Sequence, residues 1–313
     1  MASSGSYNYS VNGGDIVADA LANIGEVAAG ETVSSEDMVF CLGKLQRIVK
    51  QLQGTADGAP GLKMWTRKRG YVFLQKSQSV YSLGPSGDHA TLTYYSTTLD
   101  AAELAGQTIL SVASTANMTA ADNIGIVQDS GTVFWSTIAS FVTNDTVTID
   151  DALDSVAASG NRVFWYTTKL IRPVQIISAV LRNTSTQDSP MHPMTVKNYE
   201  SLADKTADGT PTWWYYESQL TDGSLYLDVE PSDASNVVRL VFYAPPEDFD
   251  AQTDDADFPQ QWYRPLGYQL SFDIAPAYGR QITQELKLLR DESMAVARNA
   301  DPETTDLIFE PER

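Results

Sequence analysis

Positive charge, cysteine and histidine are scarce in this chain of 313 residues. It has 21 lysines and arginines against 40 aspartates and glutamates, which gives a formal net charge of −19. This balance disfavours an ordinary nucleic-acid binder, because the phosphate backbone must be met with positive charge. The single cysteine, Cys41, excludes an internal disulfide. Its position in an apolar helical stripe predicts a buried thiol.

Long apolar runs are also missing. No run approaches the roughly 18 residues that a membrane span needs, so we expect no membrane partner. The first fifteen residues have neither a basic segment nor an apolar segment, and we therefore expect no secretion signal. A hydrophobic content of 42% with 15 tyrosines and 6 tryptophans excludes a wholly disordered chain. The length predicts about two domains.

Common catalytic and metal-binding motifs are absent as well. The sequence contains none of the patterns G-x-G-x-x-G, G-x-x-x-x-G-K-[ST] and G-x-S-x-G. His89 and His192 lie in different segments, and with one cysteine they cannot complete a standard zinc set. The acidic run 254–257 lacks the glycine and the terminal glutamate of an EF-hand loop. We therefore expect no enzyme, no cofactor and no metal site.

Hydrophobic periodicity predicts helices near both ends and strands between them. Ser34 and Asp37 have the spacing of a capping box ahead of an apolar helical face that ends near Gly54. From Trp65 the period changes to two, and short strands follow at intervals of 8 to 12 residues. The pattern predicts an α+β fold. In it, N- and C-terminal helices form a helical bundle on an antiparallel β-sheet domain, with an inserted small all-β barrel or sandwich.

The predicted organisation has four parts. Residues 1–12 form a flexible N-terminus, and residues 13–88 together with 169–300 form a core of helices and β-sheet. Residues 89–168 form the inserted β domain, and residues 301–313 form a C-terminal tail.

Charge is segregated along the sequence. Residues 61–76 hold five basic groups and no acid, whereas residues 77–161 hold nine acids and neither lysine nor arginine. Such segregation predicts surfaces that face different surroundings, although acidic loops also serve solubility alone. The basic cluster Arg67, Lys68 and Arg69 is predicted to face an acidic neighbour. A strand edge charged to block aggregation is the equal alternative.

The order of several segments resembles the head-to-tail adaptor family of tailed bacteriophages, which includes tail accessory factors and packaged-DNA stabilisation proteins. It is similar in outline to tail tubular protein A. The resemblance covers about residues 13–88 and 170–300, and the insert at 89–168 departs from the minimal family. The segments that carry it are a helix ending at Gly25-Glu26, the bridge 29–34, the strand start at Trp65, the turn 79–88, the segments 208–213 and 223–231, Phe258-Pro259, and a helix with Leu270, Ala275, Pro276, Tyr278 and Gly279.

The resemblance implies a non-enzymatic structural virion protein. Such an adaptor forms a homo-oligomeric ring, commonly of twelve subunits, at the head–tail junction of the virion, after assembly in the bacterial host cytoplasm. The ring docks on the portal protein, receives a downstream tail or nozzle protein, and passes double-stranded DNA along its axis without specific binding.

Two groups of residues gain a role from this resemblance. The apolar triplet Leu307, Ile308 and Phe309 in the acidic tail is a candidate anchor on the portal ring. Negative channel walls avoid the attraction that basic walls would exert on DNA. The candidates for an anionic channel, or otherwise for an anionic outer surface, are Asp122, Asp129, Asp150, Asp151, Asp254, Asp255 and Asp257.

Two other functions remain open from the residues. An acidic chain offers carboxylate pairs suited to a cell-wall glycosidase, although no spacing selects one pair. The insert could instead be a receptor- or glycan-binding module. The aromatic run 213–216 could stack on sugars, or it could supply core on one side of a strand and an interface on the other.

Overall fold

A computed structural model describes residues 5–28, 30–53 and 65–300. By its contacts the chain forms two compact units, one made of Met1–Thr66 and Pro245–Arg313 and the other of Arg67–Ala244. The α-helices of the described residues are α1 (Gly13–Asn23), α2 (Ser35–Leu52), α3 (Val196–Glu200), α4 (Tyr263–Ile274) and α5 (Gln284–Asn299). Short 3-10 helices lie at Gln260–Trp262 and Ala275–Tyr278.

The strands of the described residues all lie in the second unit. They are β1 (Arg67–Phe73), β2 (Val80–Leu83), β3 (Ala90–Thr91), β4 (Tyr95–Thr98), β5 (Ile109–Ser111), β6 (Asn123–Val127), β7 (Val133–Phe141), β8 (Thr146–Ile149), β9 (Arg162–Tyr166), β10 (Gln175–Arg182), β11 (Asp188–Pro193), β12 (Asp208–Gly209), β13 (Trp213–Glu217), β14 (Gly223–Leu227), β15 (Glu230–Pro231) and β16 (Val237–Tyr243).

The first unit is a helical domain in which side-chain caps begin α1, α2 and α5. Asn12 accepts a hydrogen bond from the Asp15 N–H at 2.8 Å and begins α1. Ser34 Oγ accepts one from the Asp37 N–H at 3.1 Å and begins α2. Each bond satisfies a backbone donor that has no partner within the helix. The core of this unit is a single cluster of buried apolar side chains from α1, α2, α4 and α5, with Trp262 fully buried in it.

The second unit contains a large sheet that curls around its own core. Its strand order is β2-β14-β13-β11-β10-β16-β1-β3. One buried cluster holds side chains from both edges, such as Tyr81 of β2 and Ala90 of β3, together with Leu240 of the central β16. The inward faces of the two edges therefore meet across a common core, and the sheet is barrel-like.

A smaller sheet in the same unit has the order β4-β9-β6-β7-β8-β5. A bridge between Leu99 and Val112 joins its two edges, and the Ala113 N–H donates to the Thr98 carbonyl at 3.0 Å. This six-stranded sheet encloses a separate apolar core. The strands β12 and β15 form a third, two-stranded sheet.

An aromatic seam joins the outer surfaces of the large and small sheets. Phe73 of β1 and Val237 of β16 are buried against Phe164 and Tyr166 of β9. The rings of Phe73 and Phe164 lie 4.9 Å apart between centroids. Trp135 of β7 packs at the edge of this cluster. The seam buries the part of the large sheet's outer face that lies nearest to the C-terminal end of β1.

The predicted fold class is wrong, because it gave the helices too large a part of the architecture. The chain is mostly β, with three sheets among the described residues, and the helices are not a bundle layered on an antiparallel sheet. The four longer helices belong to a compact unit whose described residues contribute no strand to these sheets. Apolar spacing located the helices, but it does not specify which distant strands pair. The pairings that close the large sheet, including the parallel pair β11–β13, were therefore missed.

Candidate functional site

The outward face of β1, β16, β10 and β11 carries four arginines and one aspartate. Directly paired residues share a face, so the register places Arg67 and Arg69 on the same side as Arg239 and Arg182. Asp188, opposite Arg182, is the acid on this side of the four strands. We call this surface the arginine face.

Two of these arginines share the one carboxylate. Arg182 donates to Asp188 through Nε at 2.8 Å and through a terminal nitrogen at 2.9 Å. A terminal nitrogen of Arg239 lies 3.0 Å from Asp188 Oδ2, the oxygen that also accepts from the terminal nitrogen of Arg182. The hydrogen bond from Arg182, aided by the charge of Arg239, lowers the pKa of Asp188. Two positive charges therefore meet one negative charge.

The Nε atom of Arg239 is a hydrogen-bond donor without an acceptor among the described residues, and it is buried. A buried donor without an acceptor is costly. The arginine face thus holds an excess of charge and an unsatisfied donor in the same place.

The three residues of the predicted basic cluster lie on opposite faces of β1. Arg67 and Arg69 are exposed on the arginine face. Lys68 pairs with Phe242, whose side chain lies in the sheet's core, so Lys68 belongs to the other face. Sequence reasoning missed Arg182 and Arg239, because each is isolated among neutral residues in its own strand. In each strand the arginine alternates with buried apolar residues, and this alternation could have identified both arginines as outward-facing.

The predicted anionic residues of the small sheet differ in burial. Asp122 is only 2% exposed, and its carboxylate accepts the Thr119 N–H at 2.8 Å. It serves a turn, and its burial does not suit contact with DNA or another protein. In contrast, Asp129, Asp150 and Asp151 are exposed.

These exposed carboxylates gather around the connection between β8 and β9, residues 150–161. The connection carries Asp150, Asp151 and Asp154. Its Ala158 N–H donates to the Asp129 carboxylate at 2.9 Å, and its Ser159 hydroxyl donates to the Asp100 carbonyl at 2.9 Å. We call Asp100, Asp129, Asp150, Asp151 and Asp154 the acidic rim.

The other predicted acids lie in the helical unit. The Asp254 carboxylate accepts the Ala251 N–H at 2.7 Å, and Asp257 accepts that of Glu247 at 3.3 Å. Asp255 is exposed and forms a backbone bridge with Asn12. These residues fasten a loop, and only Asp255 among them is fully exposed. The tail triplet Leu307, Ile308 and Phe309 lies outside the described residues.

A polar cleft of about 390 Å³ lies between the small sheet and the loop that precedes β16. Arg162 lines it and donates to the Ser235 carbonyl at 2.9 Å. Asp129 binds the Asn161 amide at 2.8 Å, and Asp233 binds the Ser235 N–H at 2.9 Å. Each of these contacts holds a loop in place.

The aromatic run 213–216 alternates between core and surface. Trp214 is 5% exposed and packs in the core of the large sheet, whereas Trp213 is 45% exposed. Tyr216 donates through its hydroxyl to the Pro173 carbonyl at 2.6 Å. The run thus supplies core on one side of β13 and exposed ring surface on the other.

Among the described residues, no group of three or more histidine, cysteine, aspartate or glutamate side chains is placed to hold a metal ion. Within the same residues, every helix is too short or too polar to cross a membrane. The sequence matches no protein-family model and no curated protein.

Proposed function

We propose that this chain is a structural, non-enzymatic virion protein that forms a head-to-tail adaptor ring. The order of its sequence segments supports the proposal through the resemblance described above. The observation that carries it is the separation of charge in the folded chain. Four arginines share one outward face of the large sheet, while exposed carboxylates surround one connection of the small sheet.

Such a separation suits a ring. A positive surface and a different negative surface on one chain favour a heterologous contact between copies. Heterologous contacts generate closed rings when the rotation between subunits closes. An isologous pairing of the arginine face with itself would bring like charges together and cost free energy.

The acidic surfaces also suit a passage for DNA. Binding of DNA gains free energy when basic groups release condensed counterions, and acidic walls offer no such gain. In the proposed ring, exposed acids outside the subunit contacts, such as Asp255, line or approach the axial channel, or coat the outside. Double-stranded DNA passes without being held.

The proposed partners are the portal protein on one side and a downstream tail or nozzle protein on the other. The tail triplet Leu307, Ile308 and Phe309 is the proposed portal anchor. Burial of one aromatic and two aliphatic side chains contributes about 1.5–3 kcal/mol for each side chain before ordering costs. Repetition around a ring multiplies a weak contact. The proposed location is the head–tail junction of the virion, after assembly in the bacterial cytoplasm.

Electron microscopy of the purified chain mixed with its portal protein tests this function. We expect an added ring of density on one end of the portal. A chain with Leu307, Ile308 and Phe309 changed to serine is expected to lose that density while its melting temperature stays the same. Portal rings that remain bare with the unaltered chain would contradict the adaptor function.

A further inference from the structure

We infer that the arginine face of one copy binds the acidic rim of a second copy of this chain. The inference rests on the proposed function, since it names the two surfaces at which neighbouring subunits meet. The occupant of the arginine face is thus an acidic protein surface, and the observations below select this chain's own rim.

Around Arg69, Arg182 and Arg239, the four strands supply one acid, Asp188. Arg69 lies diagonally across from Arg239, because Arg239 pairs with Tyr71, two residues along the same strand. Like charges on neighbouring strand positions are destabilising. Asp188 already accepts hydrogen bonds from Arg182 and faces Arg239, and it carries only one charge. A further carboxylate from outside would balance the excess.

Arg239 keeps part of its side chain within reach of a partner. Its Nε is buried, so no outside group can reach that atom, but the side chain as a whole remains 26% exposed. Arginine offers five donors in a planar fork that matches a carboxylate. An acidic side chain from a partner can therefore bind the exposed part of an arginine that Asp188 already holds in place.

The acidic rim has the complementary charge. Asp151 accepts a hydrogen bond from the Ser136 hydroxyl at 3.1 Å, Asp150 is bound by the Thr137 hydroxyl, and Asp154 is bound by a side-chain amide. These donors are neutral, so they orient the carboxylates without cancelling their charge. The stretch 77–161 contains neither lysine nor arginine. The positive groups that the fold brings to the rim, Arg162 and Lys76, lie near Asp129, whereas Asp150 and Asp151 are bound by hydroxyl groups.

The two surfaces belong to different sheets, which allows a head-to-tail, heterologous contact. One copy presents its arginine face and the next presents its rim, and each copy keeps the other surface for a further neighbour. Association through these surfaces should weaken as salt rises, because exposed charges are screened within about 10 Å at 0.1 M salt.

Sedimentation velocity of the full chain at about 50 mM and about 500 mM salt tests the inference. We expect the unaltered chain to self-associate at the lower salt. Arg69→Glu should weaken association about tenfold or more. Lys68→Glu is the matched control, since it makes the same charge change one residue away on the opposite face and should associate normally.

The rim is tested with a double variant, Asp150→Lys with Asp151→Lys. We expect this variant to lose association, whereas Asp250→Lys with Asp255→Lys, an equal charge change in the helical unit, should keep it. An equimolar mixture of the rim variant with Arg69→Glu should recover association. In that mixture the carboxylate introduced on the arginine face meets the lysines introduced on the rim, and the unaltered surfaces also meet each other.

Several results would overturn the inference: a monomeric unaltered chain at low salt, normal association of Arg69→Glu, an equal loss in Lys68→Glu, or no recovery in the mixture. Circular dichroism melting of each variant establishes that it is folded.

Portal binding is scored separately. Charge-dependent self-association without portal binding would reject the adaptor function alone. Portal binding by a chain whose self-association is unchanged by these substitutions would reject only the inferred contact.

Discussion

The imidazole of His89 lies flat on the indole of Trp135, with the ring centroids 3.8 Å apart and the planes within 2° of each other. His89 Nδ1 lies 2.7 Å from the Tyr166 hydroxyl. His89 immediately precedes β3 of the large sheet, whereas Trp135 and Tyr166 belong to the small sheet. A titratable side chain therefore sits at the seam between the two sheets.

This position predicts acid sensitivity. Burial, aided by the positive charge of Lys169, lowers the pKa of His89 from 6.5 to about 4. The unfolded chain takes up a proton near pH 6.5, while the folded chain resists it until about pH 4. Stability is therefore full above pH 6.5 and is lost as the pH falls towards 4, by about 2–3 kcal/mol.

Urea unfolding between pH 7 and pH 4 measures this effect. A His89→Phe variant keeps an aromatic ring against Trp135. It should lose the pH dependence of the free energy of unfolding that His89 contributes. The other histidine provides the control, because His192→Phe should retain the full dependence. If the free energy of unfolding of His89→Phe depended on pH as strongly as that of the unaltered chain, His89 would not titrate as its burial requires.

The shared carboxylate of the arginine face gives a second prediction. Asp188→Asn leaves Arg182 and Arg239 without their shared anion, and because the carboxylate is exposed to solvent we expect a loss of about 0.5–1 kcal/mol at neutral pH. The folded-state pKa of Asp188 is lowered, so its contribution is present above pH 3.8 and is lost as the pH falls below that value.

Chemical denaturation at neutral pH and in acid checks this expectation. The difference between Asp188→Asn and the unaltered chain should shrink in acid. Asp250→Asn, at an exposed position, should cost less than about 0.5 kcal/mol at any pH. A neutral effect of Asp188→Asn at pH 7 would mean that the arginines do not depend on this carboxylate.

Local sequence signals predicted the helices well. Ser34 caps α2 as its spacing with Asp37 required. Pro276 ends the helical run, since α4 stops at Ile274 and a 3-10 turn follows up to a left-handed Gly279 with φ 67°. Each of these signals acts within a few residues.

Pairings over long separations were not predictable in the same way. β1 pairs with β16 across more than half of the chain, and alternation alone does not select that partner. The arginine face depends on this register, because it brings Arg69 beside Arg239. Likewise, nothing local distinguishes the buried Asp122 from the exposed Asp150. Only tertiary packing separates them.

The single thiol supplies a third prediction. Cys41 is fully buried in α2, and burial raises its pKa, so little reactive thiolate is present. In the native protein we expect its reaction with a disulfide reagent to be at least about a hundredfold slower than in urea. Val39→Cys, at a position of the same helix that is 72% exposed, is the matched control and should react rapidly. Fast labelling of Cys41 in the unaltered native chain would contradict its burial.

The last prediction concerns removal of the small sheet. The Thr91 hydroxyl donates to the Thr168 carbonyl at 2.8 Å, so a short glycine-serine linker can replace residues 93–167 and leave β3 in place. The deletion uncovers the seam, however, because Phe73 and Val237 lose the side chains of β9 that bury them. Exposed apolar patches promote aggregation.

We therefore expect the deletion alone to fold but to aggregate, and the deletion with Phe73→Thr and Val237→Thr to stay soluble. The same two substitutions in the full chain should lower its stability by several kcal/mol, because they remove apolar contacts from a packed seam. Size-exclusion chromatography and thermal melting of the four chains measure these opposite effects. The large sheet would depend on the small one if the substituted deletion lacked a cooperative melting transition. The seam would not be a true packing interface if the substitutions left the full chain's melting temperature unchanged.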